Sequence, residues 1–202
     1  MSFKKKPKSS KDLFGIQRDP CKGGFFFNFG FYKPTTNYFL EESEEPTSDG
    51  INFRLGTSFE AGNMFRLADL DNKAIGIRAT WLNANQTNVE YDNEVVFSIL
   101  HLSFLKLGPY FSFGLGDKMA IDAYYQIAPQ YVIAYNIEGS DETLNFLGLT
   151  NSIGVAYRFS ILATGFDANF GKAKYILQAD DPETMEANIR FPYLRFYIGL
   201  KF

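Results

Sequence analysis

Apolar and polar residues alternate one for one along most of this chain. The last ten residues, YLRFYIGLKF, place Phe196, Ile198, Leu200 and Phe202 on one parity and Arg195, Tyr197, Gly199 and Lys201 on the other. That is a β-strand with one apolar and one polar face. The same period recurs from Gly23 onward. GGFFFNFGF sets Phe25, Phe27, Phe29 and Phe31 against Gly24, Phe26, Asn28 and Gly30, and INFRLGTSFEAGNMFRL sets Phe53, Leu55, Phe59 and Phe65 against Arg54, Gly56, Glu60 and Arg66. AIGIRATWL opposes Ile75, Ile77 and Trp81 to Gly76 and Arg78, and the run from Met119 to Tyr135 opposes Ile121, Tyr125 and Ile127 to Asp122, Tyr124 and Gln126. SIGVAYRF and ILATGFDANFG continue it, with Arg158, Asp167 and Asn169 on the polar side and Phe166 and Phe170 on the apolar side.

Alternation does not say which face is inside. A soluble barrel or sandwich turns its aromatic face inward and shows water Lys, Glu and Thr. Here the second face is mostly Gly, Ala, Ser and Asn with an occasional charge, and regular Gly only weakens a solvated strand. Small residues with paired charges suit a narrow lumen, while the aromatic face meets lipid and closure satisfies every backbone group. The pattern therefore predicts an all-β fold, a closed antiparallel transmembrane β-barrel, with a lipocalin-like or sandwich protein as the less favoured alternative. Its lipid-facing positions include Phe25, Phe27, Phe29, Phe53, Trp81, Phe166, Phe170, Ile198 and Leu200. Its lumen is expected to hold a network of Arg54, Glu60, Arg66, Arg78, Asp122, Tyr124, Gln126, Arg158, Asp167, Asn169 and Arg195.

Connections sort into short ones, at Asp69 to Lys73, Gly116 to Lys118 and Phe159 to Ile161, and longer acidic ones at residues 32–50, 83–94, 136–149 and 174–189. Their alternation gives eight strands, both termini on the short-turn, periplasmic side, and the acidic loops outside. Residues 95–115 are too long for one crossing of about ten residues. A bulge at Gly108 and Pro109 is the preferred reading, with an additional turn as the alternative.

Composition agrees. The chain has 202 residues with 22 Phe, 12 Tyr and 17 Gly against one Trp, as expected of aromatic strands joined by tight turns. No window holds the roughly 18 consecutive apolar residues of a membrane helix. Cys21 stands alone, which excludes a disulfide framework, and without an upstream apolar run it does not read as a lipidated cysteine. Residues 1–22, with Lys4, Lys5, Lys6, Lys8 and Lys11, form a basic flexible periplasmic tail ahead of a barrel at 23–202; an export signal, if used, is expected to have been removed from this numbering. On a chain of net charge −3 such a tail makes no case for nucleic acid.

The aromatic strands, the segment HLSFLKLGPYFSFGLG before a tight turn, and the closing FYIGLKF resemble the outer-membrane β-barrels of Bacteroidota loosely called PorT-like, with the architecture of the small OmpA-type and OmpX-type barrels. Members commonly carry Leu-Glu-Ile-Pro where this chain has Leu100, His101, Leu102 and Ser103. The resemblance implies an integral outer-membrane location, and in Phe196 and Phe202 the terminal signal read by the barrel-assembly machinery. From the family's name-giving protein it also implies a possible tie to type IX secretion.

An eight-stranded interior is just wide enough to be filled by its own side chains, so the expected function is non-enzymatic. The preferred reading is a structural or accessory subunit that docks a larger envelope complex for secretion or nutrient uptake; the alternative is a narrow solute or ion pore. A lipid A-modifying enzyme is the least favoured: His101 and Ser103 have the spacing of the deacylase pair, but residues 95–115 offer no carboxylate. Asn85, Gln86 and Thr87 form a glycosylation-like triplet attributed to chance. No cofactor and no dedicated metal site are expected. The acidic loop residues, Glu41 to Asp49, Asp141, Glu142, Asp180, Asp181, Glu183 and Glu186, lack calcium-loop spacing, which leaves at most weak, shared divalent bridging to outer-membrane lipids.

Overall fold

The computed structural model describes residues 19, 21–34, 51–70, 72–92, 94–136, 143–175, 188–190 and 192–202. Most of the basic tail and all of the acidic loop residues from Glu41 to Asp49, Asp141, Glu142, Asp180, Asp181, Glu183 and Glu186 lie outside them. Among the described residues there are ten strand segments: β1 (Gly24–Pro34), β2 (Ile51–Phe53), β3 (Gly56–Asp69), β4 (Lys73–Tyr91), β5 (Glu94–Gly114), β6 (Met119–Tyr135), β7 (Thr143–Phe159), β8 (Leu162–Tyr175), β9 (Asn188–Arg190) and β10 (Tyr193–Lys201). The hydrogen-bonded order is β10-β1-β3-β4-β5-β6-β7-β8, and β8 pairs with β10, so the sheet closes on itself. β2 extends β3 alongside β4, and β9 extends β10 alongside β8. The ring therefore has eight staves, all antiparallel.

Burial fixes the two faces. Glu60 is 0 % and Arg195 1 % exposed, whereas Phe29 is 60 % and Ile198 59 % exposed. Charge inside and aromatic rings outside is the inverse of a soluble protein, and it is stable only where hydrocarbon is the solvent. The fold is a transmembrane β-barrel, and closure leaves no strand edge for lipid to meet.

The wall is uneven in height. At roughly 3.3 Å per residue and a tilt near 40°, the nine residues of β10 rise about 23 Å, close to the height of the apolar belt. The 21 residues of β5 rise about 50 Å. Strands β4 to β7 therefore project as a stalk on the long-loop side. Its inner face is no longer polar: Val89, Ile99, Val132, Ala134, Phe146 and Ala173 form a buried cluster, flanked by Phe53, Val96, Phe97 and Tyr175. Without lipid around it, this part of the sheet needs a core of its own.

Three expectations about the strands are corrected. Residues 83–94 are not a loop, because β4 runs on to Tyr91 and pairs with β5 as far as Glu94. The irregularity in β5 lies between Ser103 and Leu107, with Leu105 at φ 53°, and Gly108 and Pro109 are regular ladder residues opposite Arg78 and Ile77. Phe53 is half-buried against the stalk cluster instead of facing lipid, because Arg54 and Leu55 are both exposed and the parity flips between β2 and β3.

At the opposite end the short turns are tight. Leu70 and Lys73 exchange both backbone hydrogen bonds, at 2.9 and 3.0 Å, with Asn72 at φ 67°. Ser160, at φ 59°, turns β7 into β8. The terminus is held in the wall, with the Phe202 amide donating to the Phe25 carbonyl at 2.9 Å.

Candidate functional site

Among the described residues, charges are concentrated out of solvent in the interior, which is built in tiers. In the middle tier Arg195 of β10 donates to Asp167 of β8 at 2.5 Å and to Glu60 of β3 at 2.8 Å. Glu60 also accepts from Arg78 of β4 at 3.1 Å, Thr80 at 2.8 Å and Asn28 of β1 at 2.9 Å. Tyr124 of β6 reaches across the lumen to donate to Asp167 at 2.9 Å, and its hydroxyl lies 3.2 Å from that of Tyr197. The Arg78 guanidinium is clamped between the Phe26 and Tyr124 rings, 4.0 and 4.2 Å from their centroids. Six of the eight staves thus meet at one charge cluster. Such an arrangement is tolerable in low dielectric only because each carboxylate has several donors.

The lower tier couples Asp122 to Arg158 and Ser112: Arg158 donates to Ser112 and to Asp122, both at 2.7 Å, and Ser112 donates to Asp122 at 2.5 Å. Cys21, 1 % exposed, closes this end, with its Sγ 3.5 Å from the Asn72 carbonyl oxygen. Asp19 holds the turn in place by accepting from the Cys21 amide at 2.9 Å and pairing with Arg66. Residues 19 and 21, assigned by sequence to the flexible tail, are therefore fastened to the barrel. Burial pushes the Cys21 thiol up from its ordinary range, so it stays protonated and unreactive.

In the upper tier Tyr32, His101 and Tyr193 pack edge to face at 5.2 to 5.9 Å, and His101 Nδ1 hydrogen-bonds the Gln130 amide at 2.8 Å. His101 and Ser103 are both buried inside the wall, whereas a lipid-modifying pair must face the outer leaflet. Asn85 is also interior, donating to Asn83 at 2.8 Å and Tyr193 at 3.3 Å, so the Asn-Gln-Thr triplet is not in a loop.

Of the residues named from sequence for the lumen, Glu60, Arg78, Asp122, Tyr124, Gln126, Arg158, Asp167, Asn169 and Arg195 are brought together inside. Arg54 and Arg66 are not. Arg54 is exposed and pairs with Glu90 at the loop end; Arg66 sits at the short-turn end with Asp19 and with Asp69 at 3.5 Å. Both lie where strand parity breaks, Arg66 beside a register shift at Arg66/Ala68. On the outer parity lie Phe25, Phe27, Phe29, Trp81, Phe166, Phe170, Phe196, Ile198, Leu200 and Phe202.

Sequence reasoning missed Lys106 and Lys201. Lys106 is interior because the irregularity at Phe104 and Leu105 flips the parity of β5, and it donates to Asn169 at 3.2 Å. Lys201 was on the polar parity all along. Among the described residues the buried charges are thus Arg78, Lys106, Arg158, Arg195 and Lys201 against Glu60, Asp122 and Asp167. No group of three metal-ligating side chains occurs among them.

Two glycines make the packing possible. A methyl group at Gly154 would overlap the Tyr124 ring, and one at Gly165 the Tyr197 ring. Gly165→Val is expected to displace Tyr197 and cost about 1–3 kcal/mol, read as a lowered urea midpoint for refolding into micelles.

Solved structures of similar shape are bacterial envelope proteins. Ail, the attachment invasion locus protein of Yersinia pestis, aligns over 89 % of this chain and 99 % of its own at 10 % identity and a TM-score of 0.46. The outer membrane protein OprG from Pseudomonas aeruginosa aligns over 93 % and 99 % at 14 % identity and 0.40. Neisserial surface protein A aligns over 90 % and 99 % at 12 % identity and 0.42. No family model and no curated protein matches the chain. The functional reading therefore rests on the residues of this barrel.

Proposed function

We propose that this protein is a non-enzymatic integral barrel of the bacterial outer membrane, with its termini in the periplasm, serving as an accessory subunit that docks a larger envelope complex. The observation that carries the reading is the closure of the lumen. Arg195, Glu60, Asp167, Arg78 and Tyr124 bond across it from five staves, an apolar cluster fills the stalk above, and Cys21 caps the base. A pathway for solutes would need mobile water where these side chains stand, which argues against the narrow pore. What remains for function is the surface outside the membrane, above all the stalk of β4 to β7. The PorT-like resemblance supports a partner of the secretion or uptake kind.

The outer face of the stalk offers a test. Leu147 is 52 % exposed and lies 12 residues above the lower end of β7, about 30 Å up and beyond the belt. The tagged wild-type barrel, extracted from native outer membranes in mild detergent, is expected to co-purify with a discrete envelope complex. Leu147→Glu should fold normally but lose that complex. A wild-type barrel that purifies alone at native expression would remove the accessory reading.

A further inference from the structure

The outer wall is not uniformly studded. A groove of about 380 Å³ runs over β10, β1 and β3, lined by Phe29, Phe31, Thr57, Phe196 and Ile198 with Gly30 and Ser58 as its floor. Its origin is in the register. Phe31 is opposite Phe196 on one side and Thr57 on the other, and Phe29 is opposite Ile198. Thr57 is small for a position between rings, and Phe29 leans away onto Phe59, with centroids 5.0 Å apart, so a trough opens between the Phe29 and Phe31 levels.

The surroundings of the groove are polarised. Lys33 follows Phe31 on the same outward face, two residues or roughly 7 Å further along β1. It is exposed, and neither β1 nor β10 contains a carboxylate. Lys33 stands nine residues beyond Gly24, about 23 Å up the tilted strand, near the upper rim of a belt about 25 Å tall. The groove is therefore in the loop-side half of the membrane, with a cation at the headgroup level above it.

We propose that this wall seats one phosphorylated glycolipid of the outer leaflet, an acyl chain lying in the groove and a phosphate held by Lys33. The inference rests on the outer-membrane orientation proposed above. A long, flexible apolar chain with an anionic head matches a narrow trough ending in a lysine. A second barrel would need a broad contact of around 1,000 Å² or more, and its convex wall would leave the trough empty.

The test is native mass spectrometry of the full-length barrel in micelles titrated with bis-phosphorylated lipid A, with phosphatidylethanolamine as the comparison. Wild type is expected to retain one lipid A in preference to phosphatidylethanolamine. Lys33→Gln should weaken retention about fivefold. Thr57→Trp, which fills the trough, should abolish it, and Ile153→Trp on another part of the wall should leave it unchanged. Equal retention of both lipids by wild type, unchanged binding in both Lys33→Gln and Thr57→Trp, or a dimer that Thr57→Trp disperses would each overturn the proposal. Lys33→Gln touches no packed group and keeps the test valid if the tryptophan variant fails to fold. A barrel that inserts into no bilayer would refute the membrane reading itself, whereas a folded, inserted barrel without lipid selectivity refutes only the seat.

Discussion

Arg195→Met is expected to lower the stability of the folded barrel by about 3–5 kcal/mol, the cost of leaving buried charges without their partner. Arg195 is 1 % exposed and joins Glu60 to Asp167; without it the two carboxylates face one another across a lumen from which water is excluded. Glu60→Gln should be costly for the complementary reason, because Arg78 and Arg195 then share a neutral acceptor. A double replacement of Arg195 and Asp167 by Met and Asn should cost less than the sum of the single changes, since the cycle removes charge of both signs. Urea titration of barrels refolded in micelles, followed by the heat-dependent gel shift and tyrosine fluorescence, measures all of these. Single variants as stable as wild type would show that the cluster does not hold the barrel together.

The second large effect concerns the other face. Phe166→Arg and Ile198→Arg place a cation on the outward parity of β8 and β10, at side chains 48 % and 59 % exposed. Near the middle of the belt each should cost about 2–4 kcal/mol, and insertion into bilayers should slow or fail. The paired control is Val95→Arg, on the stalk near the tip of β5 and 48 % exposed. It stands above the belt and should change stability by less than about 0.5 kcal/mol. Equal behaviour of the three variants would mean that exposed apolar side chains on this barrel do not mark contact with lipid.

Much of this was legible because a period of two survives any uncertainty in strand ends. Phe25 to Phe31, the terminal run from Arg195 to Phe202, and the opposition of Asp167 to Phe166 assign both faces without knowledge of pairing. Small residues opposite rings gave the inside-out reading, and Gly154 beneath Tyr124 shows why they are needed. What could not be read were the places where two successive residues share a face. Trp81 and Leu82 both turn outward, because Gly62 pairs with Thr80 while Ala61 pairs with Leu82. Phe104 and Leu105 do the same in β5. Such bulges carry no periodic signal, and Leu105 reaches its positive φ without a glycine to announce it. Lys106 was hidden by that shift, and Arg54 and Arg66 were misplaced by parity breaks of the same kind. The stalk was obscured for another reason. The β4 residues that lead up to it, Asn83, Asn85 and Thr87, are polar on the inner face just below the apolar cluster, and such a run ahead of a hairpin looks like loop in sequence.

The sealed lumen is the central claim, and single-channel recording of the purified barrel in a planar bilayer tests it most directly. The charge cluster, the apolar stalk and the Cys21 cap together predict no stable openings for wild type at physiological salt and moderate voltage. Arg195→Met should give at most brief, noisy leaks as the cluster loosens. Discrete, reproducible conductance steps from the wild-type protein, unaltered by Arg195→Met, would contradict the account and identify the barrel as a pore.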